Sequence, residues 1–94
     1  MKIAIYGRTN GQTDINEQMQ KCREYAEENN FEIAHEFIDD LNTKGKSFEN
    51  LIESAAEFDG VVIQDRTRLA RNATDYEIKM QEIAQAGIAA FFVN

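Results

Sequence analysis

Four short apolar runs, separated by stretches with helical spacing, constrain this chain more than any other feature. Lys2 to Gly7 (KIAIYG) is β-branched and aromatic and is closed by glycine, the pattern of a buried strand. Phe31 to Ile38, Val61 to Ile63 and Ile88 to Val93 read the same way. Along Asp14 to Asn30, Ile15, Met19, Cys22 and Ala26 fall on one helical face, with Glu17, Glu24, Glu27 and Glu28 largely elsewhere. Ser47 is placed to cap a second helix, whose stripe is Phe48, Leu51, Ile52, Ala55 and Ala56. Asn72 suits the N-cap of a third, with Asp75 in its first turn, Tyr76, Met80, Ile83 and Ala84 facing inward, and Gly87 ending it near Ala86. The order β-α-β-α-β-α-β with tight connections predicts a three-layer α/β fold: a mainly parallel four-stranded sheet with helices on both faces.

A chain of 94 residues makes one domain, 1–94, and no repeat, linker or low-complexity stretch divides it. No apolar run approaches the roughly 20 residues of a membrane span. Arg8 interrupts the N-terminus too early for a leader peptide, so a cytoplasmic protein with no membrane attachment is expected. The single cysteine, Cys22, excludes an internal disulfide and a cysteine zinc cluster, and it fits the buried helix face. His35 has no cysteine or acid pair nearby, so it reads as a strand-surface residue, and neither a metal nor a cofactor is expected. The net charge of −7 opposes free-standing DNA binding, because duplex DNA repels an acidic protein unless its positive charge is gathered on one face. Weak or no autonomous DNA binding is expected.

Ligand sites of parallel sheets lie beyond the carboxyl ends of the strands. Two loops matter for that reason: Gly7 to Thr13, and Gln64 to Arg71. The predicted sheet converges Arg8 with Arg66, Arg68 and Arg71 at one edge. Guanidinium groups are planar, permanently charged and bidentate, which suits phosphate oxygens. The same residues also read as a solvated loop with Arg66 or Arg68 paired to Asp65. Arg71 beside the N-cap Asn72 points to the first reading. A cation there opposes the helix dipole by roughly 0.3–1 kcal/mol, and an anion held between them reverses the sign.

Tyr6-Gly7-Arg8-Thr9-Asn10 and Thr67-Arg68-Leu69-Ala70-Arg71 are similar to two paired signatures, Tyr-x-Arg-x-Ser and Asp-Arg-Leu-x-Arg. These belong to the N-terminal catalytic domain of serine recombinases, the resolvases and invertases. The helix from Gln18 to Ala26 resembles the family's first helix, which carries a glutamine near Gln18. Phe37-Ile38-Asp39-Asp40 resembles the acidic segment after its second strand. The resemblance spans essentially the whole chain. It implies a site built from Tyr6, Arg8, Asn10, Gln18, Asp39, Thr67, Arg68 and Arg71, with Arg8, Asn10, Arg68 and Arg71 contacting phosphate.

The departures bear on activity. Asn10 stands where the family has its nucleophilic serine, and an amide nitrogen, its lone pair delocalised into the carbonyl, cannot attack phosphorus. Thr67 stands at the family's aspartate. A register that aligns Asp65-Arg66 with the family pair needs a two-residue insertion. The nearby hydroxyls of Thr9 and Thr13 are poor substitutes for the serine. The family's Ser-Gly and following arginine have no clear counterpart between Leu41 and Asn50. Ending at Asn94, the chain is expected to lack the family's long dimerisation helix and DNA-binding domain. The resemblance therefore implies a degenerate catalytic-domain-like protein related to site-specific recombination of mobile DNA. It would be inactive and work by association with itself, a full-length recombinase or another regulator. The alternatives are an active recombinase fragment using an unusual nucleophile, and a small phosphate- or nucleotide-binding module.

Overall fold

The computed structural model describes residues 1–11 and 15–94. Its elements run β1 (Lys2–Arg8), α1 (Ile15–Glu28), β2 (Glu32–Asp39), α2 (Lys46–Glu53), a 3₁₀ turn (Ala55–Glu57), β3 (Gly60–Ile63), α3 (Arg66–Leu69), α4 (Ala73–Gln85) and β4 (Ala89–Phe92). The sheet order is β2-β1-β3-β4 and all three pairings are parallel. β1 is interior, as its apolar character on both faces requires. Ile3 and Ile5 pack with Met19, Cys22 and Ala26 of α1 on one face. Ala4 and Tyr6 pack with Phe48 and Leu51 of α2, Leu69 of α3 and Ile83 of α4 on the other. This is the predicted three-layer arrangement.

The chain leaves β1 toward β2 and afterwards builds outward on the opposite side, through β3 and β4. α1 therefore lies on one face while α2 and α4 share the other. The sheet changes direction between β1 and β3, and such a switch point opens a crevice at the carboxyl ends of the two strands. Gly7, near the end of β1, has no room for a side chain: a Cβ there would lie 2.7 Å from the Met19 sulfur and 2.9 Å from Ile15 Cδ1. α1 can thus approach the strand end closely.

Several local expectations are corrected. Gly45, in the left-handed region at φ 92°, occupies the cap position of α2, which has no side-chain cap. Ser47 lies inside the helix, and its hydroxyl donates to the Ile38 carbonyl at 2.6 Å. Ala56 and Ala84 are exposed. The first follows from the break of α2 into a 3₁₀ turn, which rotates the stripe after Ala55. The second sits outside the arc defined by Met80 and Ile83. β2 is an edge strand with an irregularity opposite Ile3/Ala4, so it alternates poorly and leaves Ile33 and Ile38 partly exposed. The expected loop from Gln64 to Arg71 contains the helix α3. The expected cap of α4 is present: Asn72 Oδ1 accepts the Asp75 N–H at 2.8 Å. The expected helix start at Asp14, and Thr13, lie outside the described residues.

Candidate active-site cleft

The carboxyl end of β1 outruns β3, whose pairing stops at Tyr6↔Ile63. The backbone of Arg8 would be left without a strand partner on that side. Gln18, 2% exposed, supplies both missing bonds. Its Oε1 accepts the Arg8 N–H at 3.3 Å and its Nε2 donates to the Arg8 carbonyl at 2.9 Å. The Arg8 side chain then crosses to the other loop, where Nη2 donates to the Thr67 carbonyl at 2.6 Å. Its Nε is buried with no hydrogen-bond partner.

Asp39 ends β2 as a buried carboxylate, 1% exposed. Oδ1 accepts from the Thr43 hydroxyl at 2.7 Å and from the Gly45 and Ser47 N–H groups at 3.1 and 2.9 Å. Oδ2 accepts from the Tyr6 hydroxyl at 2.8 Å and the Phe48 N–H at 2.9 Å. Burial alone would raise its pKa. The bonds from Thr43, Tyr6, Ser47 and Phe48 outweigh burial and hold it below the usual carboxylate range. The same burial, with the bond to Asp39, pushes the Tyr6 phenol far above its ordinary value. Asp39 thus ties β1, the Asp40–Gly45 turn and the start of α2 into one unit.

Beyond β3, Asp65 caps α3. Its Oδ1 accepts from the Thr67 N–H at 2.9 Å, the Arg68 N–H at 3.2 Å and the Thr67 hydroxyl at 2.5 Å. The Thr67 hydroxyl is therefore turned into the cap. Arg66 lies over the Tyr76 ring, 5.4 Å from its centroid. Asp39 and Asp65 are engaged with hydroxyls and backbone N–H groups, away from the role of internal counter-ion to the arginines. Lys79, on α4, donates to the Leu69 carbonyl at 2.9 Å and pairs with Asp75 at 3.4 Å, which anchors the turn carrying Arg71.

Between these walls is a cleft of about 660 Å³. Tyr6, Arg8, Thr9 and Asn10 line it from β1 and the residues that follow it, Leu41, Lys44, Gly45, Phe48 and Glu49 from the β2–α2 side, and Arg71, Asp75, Ile78, Lys79 and Glu82 from the α4 side. Of the residues singled out in the sequence, the fold brings Tyr6, Arg8, Asn10 and Arg71 into this cleft. Gln18 and Asp39 support it from the core. Thr67 and Arg68 are not among its lining residues. Lys44, Lys79, Leu41, Ile78, Glu49 and Glu82 were missed. The one signal for Lys44 was its place after a parallel strand, at the edge where ligands bind. Among the described residues, no group of three His, Cys, Asp or Glu side chains could hold a metal ion, and no helix is long and apolar enough to cross a membrane.

Residues 3–94 match the family described as "Resolvase, N terminal domain". The chain belongs to the resolvase family. Solved structures carry the same fold. The N-terminal catalytic domain of TP901-1 integrase superposes with a TM-score of 0.85 at 23% identity, covering 100% of this chain and 78% of that one. A resolvase family site-specific recombinase from Streptococcus pneumoniae gives 0.87 at 20% identity, over 99% of this chain and 72% of that one. The catalytic domain of ISC1926 TnpA, an IS607-like serine recombinase, gives 0.84 at 22% identity, over 100% and 68%. No curated protein matches the sequence significantly. The fold is that of a serine recombinase catalytic domain, related to site-specific recombination.

Proposed function

We propose that this resolvase-family domain holds a phosphate group without attacking it, and that it acts in recombination by associating with itself, with a full-length recombinase or with another regulatory protein. The observation that carries this reading is the lining of the cleft. Arg8 and Arg71 face the same space as Asn10, so the groups suited to a phosphodiester surround a residue with no nucleophilic atom. Phosphoryl transfer needs both positioning and an attacking group. Asn10 can still donate its amide N–H to a phosphate oxygen, so the residue retains contact while lacking attack. The Thr67 hydroxyl, bonded to Asp65, does not replace the family's aspartate. Arg68, on α3, is carried next to this grip. The net charge of −7 keeps DNA affinity weak, and a cytoplasmic location follows the same reading.

A backbone-amide NMR titration with inorganic phosphate tests the grip. Saturable shifts at Arg8 to Gly11 and at Arg71 to Ala73, weakened by salt and lost in Arg71→Ala, are expected. Shifts scattered over the surface, or none below tens of millimolar, would refute it. Association is read by sedimentation velocity of the chain alone and mixed with a full-length serine recombinase. A new, faster boundary is expected in one of the two samples, and monomer behaviour in both would count against the association half of the reading.

A further inference from the structure

Of the asparagines in the chain, Asn10 alone is followed by glycine. Both residues lie beyond the end of β1, outside helix and strand, and both are exposed. The side-chain carbonyl of an asparagine is open to attack by the backbone nitrogen of the next residue, and a side chain on that residue crowds the approach. Gly11 has none, and the space around it is open: an added Cβ would meet nothing nearer than Leu41 Cδ1 at 3.9 Å. Its N–H donates to the Thr9 hydroxyl at 3.1 Å, a bond within the loop and not one of the sheet or of a helix. Elsewhere the fold fixes the corresponding N–H. Asn30 is followed by Phe31, whose N–H donates to the Ala26 carbonyl at 2.8 Å, and Asn42 by Thr43, whose N–H donates to the Asp40 carboxylate at 2.9 Å. Asp59-Gly60 has a related liability in sequence, but Gly60 is buried in β3 and Asp59 Oδ2 accepts the Lys2 N–H at 3.1 Å.

We infer that Asn10-Gly11 is a site of spontaneous deamidation, and that the carboxylate it produces closes the cleft to phosphate. The Gly11 nitrogen gives its proton to hydroxide and bonds to Asn10 Cγ. The Cγ–Nδ2 bond breaks, and the amide nitrogen leaves as ammonia after taking a proton from water. Water then opens the succinimide ring at either carbonyl, which leaves aspartate or isoaspartate at position 10. No oxidant or reductant is needed. The new carboxylate lines the same cleft as Arg8 and Arg71, where it is an internal anion for their guanidinium groups. It also meets phosphate with negative charge at the place where the Asn10 amide offered an N–H. Hydrolysis does not run backwards in water, so each molecule holds phosphate for a limited time. The closure rests on the phosphate-holding reading above, whereas the modification itself does not.

Ageing the whole folded chain at pH 7 and at pH 8, followed by tryptic digestion and fragmentation mass spectrometry, tests it. The peptide from Thr9 to Lys21 should gain the mass that comes from exchanging NH for oxygen, and fragmentation should place the change at Asn10 and not at Asn16. Asn42 should stay intact and Asp59 should form no isoaspartate. The rate should rise about tenfold from pH 7 to pH 8, because the amide ionises far above this range and its deprotonated fraction follows hydroxide. The aged form, one charge more negative, is separated by anion exchange and titrated with inorganic phosphate. It should bind about tenfold or more weakly than the fresh chain. Asn10→Gln, whose longer side chain closes a ring less readily, should change on ageing neither in mass nor in its phosphate titration. Survival of Asn10 in the folded chain, while the urea-unfolded chain deamidates there, means that the fold protects the site and overturns the inference. An aged form that binds phosphate as the fresh chain does overturns the closure. If the fresh chain binds no phosphate, the phosphate reading and the closure fail together, and the mass gain at Asn10 still decides the modification.

Discussion

Replacing Asp39 by asparagine removes a charge without changing shape, and its cost can be worked from the five hydrogen bonds the carboxylate accepts. The asparagine oxygen can take the Oδ1 position and keep the bonds from Thr43, Gly45 and Ser47. Its NH₂ then faces the Tyr6 hydroxyl and the Phe48 N–H. The hydroxyl can turn round and accept. The Phe48 N–H cannot, and it is left buried opposite another donor. Loss of a bond to a charged group, about 1.5–3 kcal/mol, and an unsatisfied buried donor, about 1–3 kcal/mol, together give ~4 kcal/mol. A domain of this size has roughly 5–14 kcal/mol in total, so Asp39→Asn should fold but melt some 15–30 °C lower. Thr43→Ala, which removes one donor to Asp39 and the acceptor of the Asp40 N–H, should cost about 2–3 kcal/mol. The effect has a defined pH dependence. Asp39 is held below the usual carboxylate range in the folded state, so its contribution is full above the unfolded pKa of about 3.9 and is lost as pH falls toward the folded pKa. Urea denaturation of both proteins between pH 7 and pH 3 measures the gap. It should be constant from pH 7 to about 5 and should narrow below that. A gap under 1 kcal/mol, or one that does not change with pH, would refute the role given to the buried carboxylate.

Asn72→Ala should cost about 1 kcal/mol of unfolding free energy in urea melts, because the Asp75 N–H loses its capping acceptor. Cys22 is fully buried, and burial pushes its thiol up to about 12, so it should react with a maleimide at pH 8 only through unfolding, at a rate that rises with urea. Gly7→Ala would place a methyl against Met19 and Ile15 and should lower stability by ~1–3 kcal/mol through displacement of α1, read as a shift in the melting midpoint.

The layer order was legible because β1 and β3 are apolar throughout and α1, α2 and α4 each carry an apolar stripe. Ile3, Ile5, Met19 and Cys22 report burial directly from the chain, and tight connections leave few topologies. α3 was hidden because three of its four residues, Arg66, Thr67 and Arg68, are polar and give no apolar stripe. Its signal was Asp65, which reads equally well as a counter-ion and as a cap. Ser47 misled for a related reason: its hydroxyl has a closer acceptor in the Ile38 carbonyl, which only the tertiary fold supplies. Tyr6, Arg8, Asn10 and Arg71 were found together because they lie at or beyond the carboxyl ends of adjacent parallel strands. Lys44, Leu41 and Ile78 were not, since a lysine in a turn and an exposed apolar residue on a helix mean nothing until two walls stand on either side of them.

The proposal that the cleft holds phosphate without attacking it is tested most directly by mixing the chain with recombination-site DNA and resolving the products on a denaturing gel. No covalent protein–DNA band and no strand cleavage are expected from the unmodified chain, nor from Asn10→Ser alone, since the proposal also places Thr67 at the family's aspartate. A denaturation-resistant band from the unmodified chain would mean that another hydroxyl, such as that of Thr9, attacks in place of the serine, and would contradict the proposal.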